Sequence, residues 1–167
     1  MTVLKIWKTH RDVQIPKRHT AQAACFDLAW QNAGKRDVKG YTQMNKPFTR
    51  ELKDRLTIAP GERALIPTGC IMDIPEGFSV RLHARSGTSL KQGLVLANAE
   101  GVVDVDYQQQ VYILLTNISE ITQTIAIGER IAQGEVVTNE KVHFLEIKTA
   151  PTQHSERDGG FGSTGTN

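Results

Sequence analysis

Between Gly101 and Tyr107 the chain reads GVVDVDY, which sets Asp104 and Asp106 two residues apart. In an extended segment, residues two apart share a face, so both carboxylates would point one way and Val103 and Val105 the other. Like charges so placed repel. Three uses remain open on spacing alone: two metal ligands, a general base with a neighbour, or a solvated turn. Upstream, ARSGTS groups Arg85, Ser86, Thr88 and Ser89 around Gly87. Arginine offers a two-pronged fork to phosphate oxygens and the small residues leave backbone N–H groups accessible, so this stretch suits an anion. A third stretch, ERDGGFGSTGTN from Glu156 to Asn167, is rich in glycine. Ordering such a segment costs much backbone entropy, so it frays unless something holds it. It lacks the lysine of a GxxxxGK[ST] phosphate loop and the strand and helix of a dinucleotide fingerprint. What remains is a donor-rich flap carrying Phe161 and Arg157, suited to closing over an anionic ligand.

Short β-strands must position these groups. Phe78 to Ala84 (FSVRLHA) alternates apolar and polar residues, and Val111 to Leu115 (VYILL) is a run of β-branched, aromatic and leucine side chains. Similar stretches recur at Val3 to Trp7, Arg63 to Pro67, Ile131 to Val137 and Val142 to Ile147. Pro60-Gly61, Pro75-Glu76-Gly77 and Gly128 punctuate them, which favours hairpins over βα crossovers and predicts an antiparallel barrel or jelly roll. At most a short helix is expected within Ala84 to Gln92. Gln31 to Arg55 breaks the rhythm: it holds seven Lys/Arg against three Asp/Glu, a local net charge of +4 against +2 for the whole chain. We read it as a solvated basic loop, with a contact surface for nucleic acid or a partner protein as the second reading.

At 167 residues, 39% apolar and 23% charged, the chain fits one domain with enough apolar material for a core. Its longest apolar runs fall far short of the ~20 residues that span a bilayer, and the charge-broken N-terminus does not read as a signal peptide. No membrane association and no specific nucleic-acid partner are expected. Cys25 and Cys70 are not in a metal-ligand spacing and are expected as free thiols of a cytoplasmic protein, in the host cytoplasm if the source is a virus or phage.

In chain order, ACFDLAW (Ala24 to Trp30), ARSGTSLKQGLVLAN (Ala84 to Asn98), GVVDVDY (Gly101 to Tyr107), GERIAQ (Gly128 to Gln133) and RDGGFGSTG (Arg157 to Gly165) resemble the five ordered motifs of the trimeric dUTP pyrophosphatases, the dUTPases. The resemblance runs from about Ala24 to the end, with Gln31 to Arg55 as an insertion. It implies an all-β jelly-roll subunit over residues 1–154, closed by a lid over 155–167, in a homotrimer whose active sites are shared between subunits. The implied reaction converts dUTP and water to dUMP and pyrophosphate with Mg²⁺. This keeps uracil out of DNA and supplies dUMP for thymidylate synthesis.

By the same resemblance Asp104 orients and deprotonates the attacking water. Arg85, Ser86, Gly87 and Gln133 serve the phosphates, and Asp27 holds a water of the metal ion. Asn98, Gly101 and Tyr107 belong to the hairpin that selects uracil and deoxyribose. Phe161 covers the base, while Arg157, Gly162, Ser163 and Thr164 close around the phosphates. Several positions depart from the family pattern, Asp158 among them with little consequence. Cys25 replaces a usual glycine, Gln109 lies in a Gln108 to Gln110 run where a glycine is usual, and Gly134 replaces an apolar residue in a strand it is expected to loosen. Two other readings are a dCTP deaminase-like relative and a dUTPase with an added regulatory or partner-binding role through residues 31–55.

Overall fold

The computed structural model describes residues 2–32, 34, 37–51, 53–152 and 154. Along these residues run β1 (Lys5–Lys8), β2 (Phe26–Ala29), β3 (Asp37–Tyr41), β4 (Pro47–Glu51), β5 (Arg55–Ile58), β6 (Arg63–Asp73) and β7 (Phe78–Ala84). They continue with α1 (Ser86–Gln92), β8 (Leu94–Leu96), β9 (Gly101–Val103), β10 (Gln110–Asn117), β11 (Gln123–Ala126) and β12 (Arg130–Thr138). Every strand pairing is antiparallel. One sheet has the order β4-β3-β6-β10-β8 with β1 also on β6, a second the order β2-β12-β7-β9, and β11 pairs with β5. This is the antiparallel jelly roll that the strand pattern predicts, and among the described residues no helix is long and apolar enough to cross a membrane.

Alternation decides which face each strand buries. In β7, Val80 and Leu82 point inward while Arg81 and His83 stay partly exposed, and in β10 Val111, Ile113 and Leu115 are buried. They meet Leu28 and Trp30 from the β2 region, Ile66 and Met72 of β6 and Ile131 of β12 in one apolar core. β6 is the longest strand and the hub. Its first half pairs with β3 and its second half with β1, and β10 runs along the opposite edge.

Two expectations need correction. Residues 37–51, within the segment read as a solvated loop, form a hairpin that extends the larger sheet: Lys39 lies opposite Leu65 and Gly40 opposite Ala64. Its charges project outward while Val38 is buried, so period-2 patterning persists beneath a basic surface. The turn from Thr42 to Lys46 closes with Asn45 at φ 56, a left-handed conformation that asparagine tolerates. The second correction concerns Val142 to Ile147. It is not a strand here, and Val142, Phe144, Leu145 and Ile147 are exposed, Phe144 to 95%. Its composition suits a strand, but no sheet edge among the described residues takes it up.

The hairpin is tied down by a buried carboxylate. Glu62, 5% exposed, accepts from Arg50 Nη1 at 2.7 Å and Nη2 at 2.6 Å, and from the Ala59 N–H at 2.8 Å. Arg50 also donates to the Thr57 carbonyl at 2.9 Å and stacks over the Phe48 ring at 4.0 Å. The guanidinium hydrogen bonds hold the Glu62 carboxyl below the usual range, with burial opposing them. A depressed acid contributes stability that is complete above its unfolded pKa of about 4.3 and is lost as pH falls through the folded value. Arg50→Met leaves a buried, unpaired carboxylate and should cost roughly 2–4 kcal/mol near neutral pH, the lower end allowing for the partial exposure of Arg50. Denaturant melts of both proteins across pH check this: the gap should narrow as pH falls into the acid range, first because the unpaired carboxyl of the variant protonates and then because the wild type loses its ion pair on passing its depressed folded pKa. A gap independent of pH would mean that Glu62 is not the group left stranded.

Candidate active site

β12 lies between β2 and β7, and its register sets Gln133 opposite Asp27 on one side and His83 on the other. The chain leaves β7 at Ala84, and Arg85 turns in extended geometry (φ −86, ψ 130) into α1. Arg85 Nε lies 3.1 Å from Asp27 Oδ1 and its Nη1 donates to the Arg130 carbonyl at 2.8 Å. Arg130 Nη1 donates to Asp27 Oδ2 at 2.9 Å. The Asp27 carboxylate, mostly buried, is therefore gripped by a guanidinium on each oxygen. Gln133 Nε2 donates to the Ala84 carbonyl at 3.2 Å, which fixes the amide beside them.

These groups line a cavity of about 440 Å³, together with Ser86, Gly87, Cys25 and His19. A Cβ at Gly87 would meet no other atom within 4 Å, so nothing in the chain itself crowds that approach. Two cations held in fixed positions, a hydroxyl and an amide donor around an open cavity are groups suited to an anion. Burial, followed by the neighbouring Glu135 carboxylate, pushes the Cys25 thiol up, which keeps it protonated.

Arg130 and His19 escape the sequence reading. Arg130 and Gln133 are three residues apart, which strict alternation would put on opposite faces. A register shift between Arg130 and Ala132 brings both to this cavity. His19, at 3.3 Å between its Nδ1 and Arg130 Nη1, carries no signal in the sequence pattern. Gly134 does not loosen its strand. It lies opposite Phe26, and a Cβ there would come within 2.5 Å of that ring, so the aromatic side chain fills the space.

A second cavity, of about 300 Å³, is lined by Asn98, Gly101, Tyr107, Leu82, Val103 and Tyr112 among others. Gly101 lies opposite Leu82 in a tight space: an added Cβ would sit 3.0 Å from the Leu82 side chain, which would have to shift to admit it. After β9 the chain is not extended. The Tyr107 N–H donates to the Asp104 carbonyl at 3.1 Å, so Asp104 and Asp106 occupy an exposed turn rather than one face of a strand. Tyr107 donates its hydroxyl to the Gln110 carbonyl at 3.0 Å, which sets the ring as a wall of the cavity; burial raises its phenol pKa. The register shift between Gln110 and Tyr112 falls just past Gln109.

The predicted residues thus fall into two groups. Asp27, Arg85, Ser86, Gly87 and Gln133 share one cavity, and Asn98, Gly101 and Tyr107 share another, with no residue common to both. Asp104 lines neither. Arg157, Phe161, Gly162, Ser163 and Thr164 lie outside the described residues.

A family model described as dUTPase matches residues 51–165. A deoxyuridine 5'-triphosphate nucleotidohydrolase of Caulobacter vibrioides is 35% identical over 162 residues, covering 96% of this chain and 92% of that protein. The protein of the same name from Chlamydia muridarum is 40% identical over 114 residues, covering 68% and 79%. The fold matches the dUTPase of Staphylococcus bacteriophage 80alpha, solved with dUpNHpp, with a TM-score of 0.78 at 21% identity over 99% of this chain and 100% of that one. On the family model and the full-length relative together, the chain belongs to the dUTPase family.

Proposed function

We propose that the chain is a dUTP diphosphatase that hydrolyses dUTP to dUMP and pyrophosphate at sites shared between the subunits of a homotrimer. The observation that carries the chemistry is the anion cavity, where Asp27 fixes Arg85 and Arg130 beside Gln133. Phosphoryl transfer asks mainly for positioning and charge neutralisation, and fixed guanidiniums supply both with little reorganisation. Arg85, Ser86, Gly87 and Gln133 bind the triphosphate, and Arg130 acts through Asp27 and through its own backbone carbonyl, which accepts from the Arg85 guanidinium. Asn98 matches the uracil edge, Gly101 lets the backbone approach, and the Tyr107 ring packs against the deoxyribose where a 2′-hydroxyl would stand. Asp104 takes the proton of the attacking water. Arg157, Phe161, Gly162, Ser163 and Thr164 close over the bound nucleotide as a lid.

The donor set suits Mg²⁺. Asp27 Oδ2 accepts from Arg130 and Oδ1 is ion-paired with Arg85, which leaves lone pairs for a metal-bound water, and Mg²⁺ retains several waters when bound to phosphates. When present, the ion neutralises charge developing on the phosphate oxygens. Two features support the trimer: the division of the predicted residues between two cavities, and the exposed apolar segment from Val142 to Ile147, which needs cover. The free thiols of Cys25 and Cys70 suit a reducing, cytoplasmic setting.

Asp104→Asn should bind dUTP but turn it over about 100- to 10,000-fold more slowly, as expected for loss of a positioned base. Single-turnover pyrophosphate release checks this, and turnover near wild type would place the base elsewhere. Tyr107→Ala should raise the UTP to dUTP ratio of kcat/KM, whereas Tyr107→Phe, which keeps the ring, should not. An unchanged ratio in the alanine variant would make Tyr107 a packing residue only.

A further inference from the structure

One cluster on the outward face of the β2-β12-β7 sheet is not used by the proposed hydrolysis. The last recorded pair between β12 and β2 sets Gly134 opposite Phe26, so the next step of that antiparallel ladder brings Glu135 alongside Cys25. His83 lies opposite Gln133 on the other side of β12, hence diagonal to Glu135 and on the same face. The ligand atoms of Cys25, His83 and Glu135 all lie within 4.8 Å of one another. His83 Nε2 is 3.4 Å from Glu135 Oε2, yet this buried ring nitrogen has no hydrogen-bond partner. On the other edge of the ring, Nδ1 faces the Glu100 carboxylate at 3.7 Å, and Glu100 also pairs with Arg81 at 3.4 Å.

We propose that Cys25, His83 and Glu135 form a binding site for one soft divalent cation of the Zn²⁺ type. The proposal does not depend on the reaction assigned above. Bonds of about 2.0–2.3 Å to nitrogen, oxygen and sulfur in a tetrahedron put ligand atoms about 3.3–3.6 Å apart. The His83 to Glu135 separation already has that value, and the remaining closure is a side-chain adjustment. The ion displaces the Cys25 proton on binding, and the resulting thiolate with imidazole selects Zn²⁺ or Co²⁺ over Mg²⁺, so this site differs in chemistry from the oxygen-rich setting of a triphosphate. Glu100 on the far ring nitrogen is the carboxylate that orients a metal-bound histidine. The three ligands come from, or directly beside, three neighbouring strands. An ion bound here therefore clasps the strands that carry Asp27, Gln133 and, one residue past β7, Arg85.

Co²⁺ titration of the purified full-length protein, read by the near-ultraviolet thiolate-to-cobalt charge-transfer band, tests this directly. The wild type should saturate at one Co²⁺ per chain, with Zn²⁺ abolishing the band in competition. Cys25→Ser should remove the band, and His83→Gln and Glu135→Gln should each raise the apparent Kd by about tenfold or more, as loss of support around a metal typically does. Zn²⁺ should also raise the thermal midpoint of the wild type and not that of the variants, since a ligand bound only to the folded state stabilises it. The three substitutions are near-isosteric and lie on the outward face, and each is read separately, so poor folding of one leaves the others decisive. Absence of a saturable band, a band that persists in Cys25→Ser, or affinities indifferent to both His83 and Glu135 would overturn the proposal.

Discussion

The register of β12 is the constraint on which the rest of the site depends. With Gln133 opposite Asp27 and His83, one row of residues crosses three strands, and every charged group of the anion cavity is placed relative to that row. A one-residue slip would turn Gln133 inward and Gly134 outward, which would strand the Phe26 ring that now fills the space above Gly134. Core packing therefore enforces the register, and the register orients the polar groups. The Asp27 carboxylate completes the arrangement: two guanidiniums that would repel each other are held on its two oxygens, with the anion between them.

The same physics explains why one chain reads as an incomplete machine. The sheet that carries the anion cavity turns Arg85 and Gln133 toward one opening, while Asn98 and Tyr107 open into a cavity at β9 and β10. Phe144 and Leu145 stand almost fully in solvent, although burying such side chains is worth roughly 1.5–3 kcal/mol each. In the proposed trimer, a second and third copy of the chain would cover that segment and bring the two cavities together.

Much of this was legible in the sequence. The alternation in FSVRLHA marked β7 with its inward Val80 and Leu82, and the run VYILL lies within β10. The five motifs in order identified the family and the residues to inspect. What the sequence hid follows from local geometry. The register shift at Arg130 overrides alternation, so Arg130 joins Gln133 against expectation. The spacing of Asp104 and Asp106 left a strand face and a solvated turn both open, and only the hydrogen bond from Tyr107 to the Asp104 carbonyl decides for the turn. The basic surface of residues 37–51 concealed a hairpin whose anchor, Glu62, lies outside the segment altogether. The apolar pattern from Val142 to Ile147 was read as a strand because composition reports a preference for a sheet and not whether an edge is free to receive it.

Subunit complementation tests the shared site most directly. Arg85→Ala disables the anion cavity and Asp104→Asn the proposed base, so each homotrimer should be nearly inactive. If the two groups act together only across a subunit boundary, random one-to-one assembly of a cyclic trimer leaves about a quarter of the sites with both intact residues. Co-expression, confirmation of mixed trimers by native mass and measurement of dUTP turnover should therefore recover about a quarter of wild-type activity. Activity no greater than the mean of the two parent variants would contradict the account, since it would mean that Arg85 and Asp104 serve the same site from the same chain.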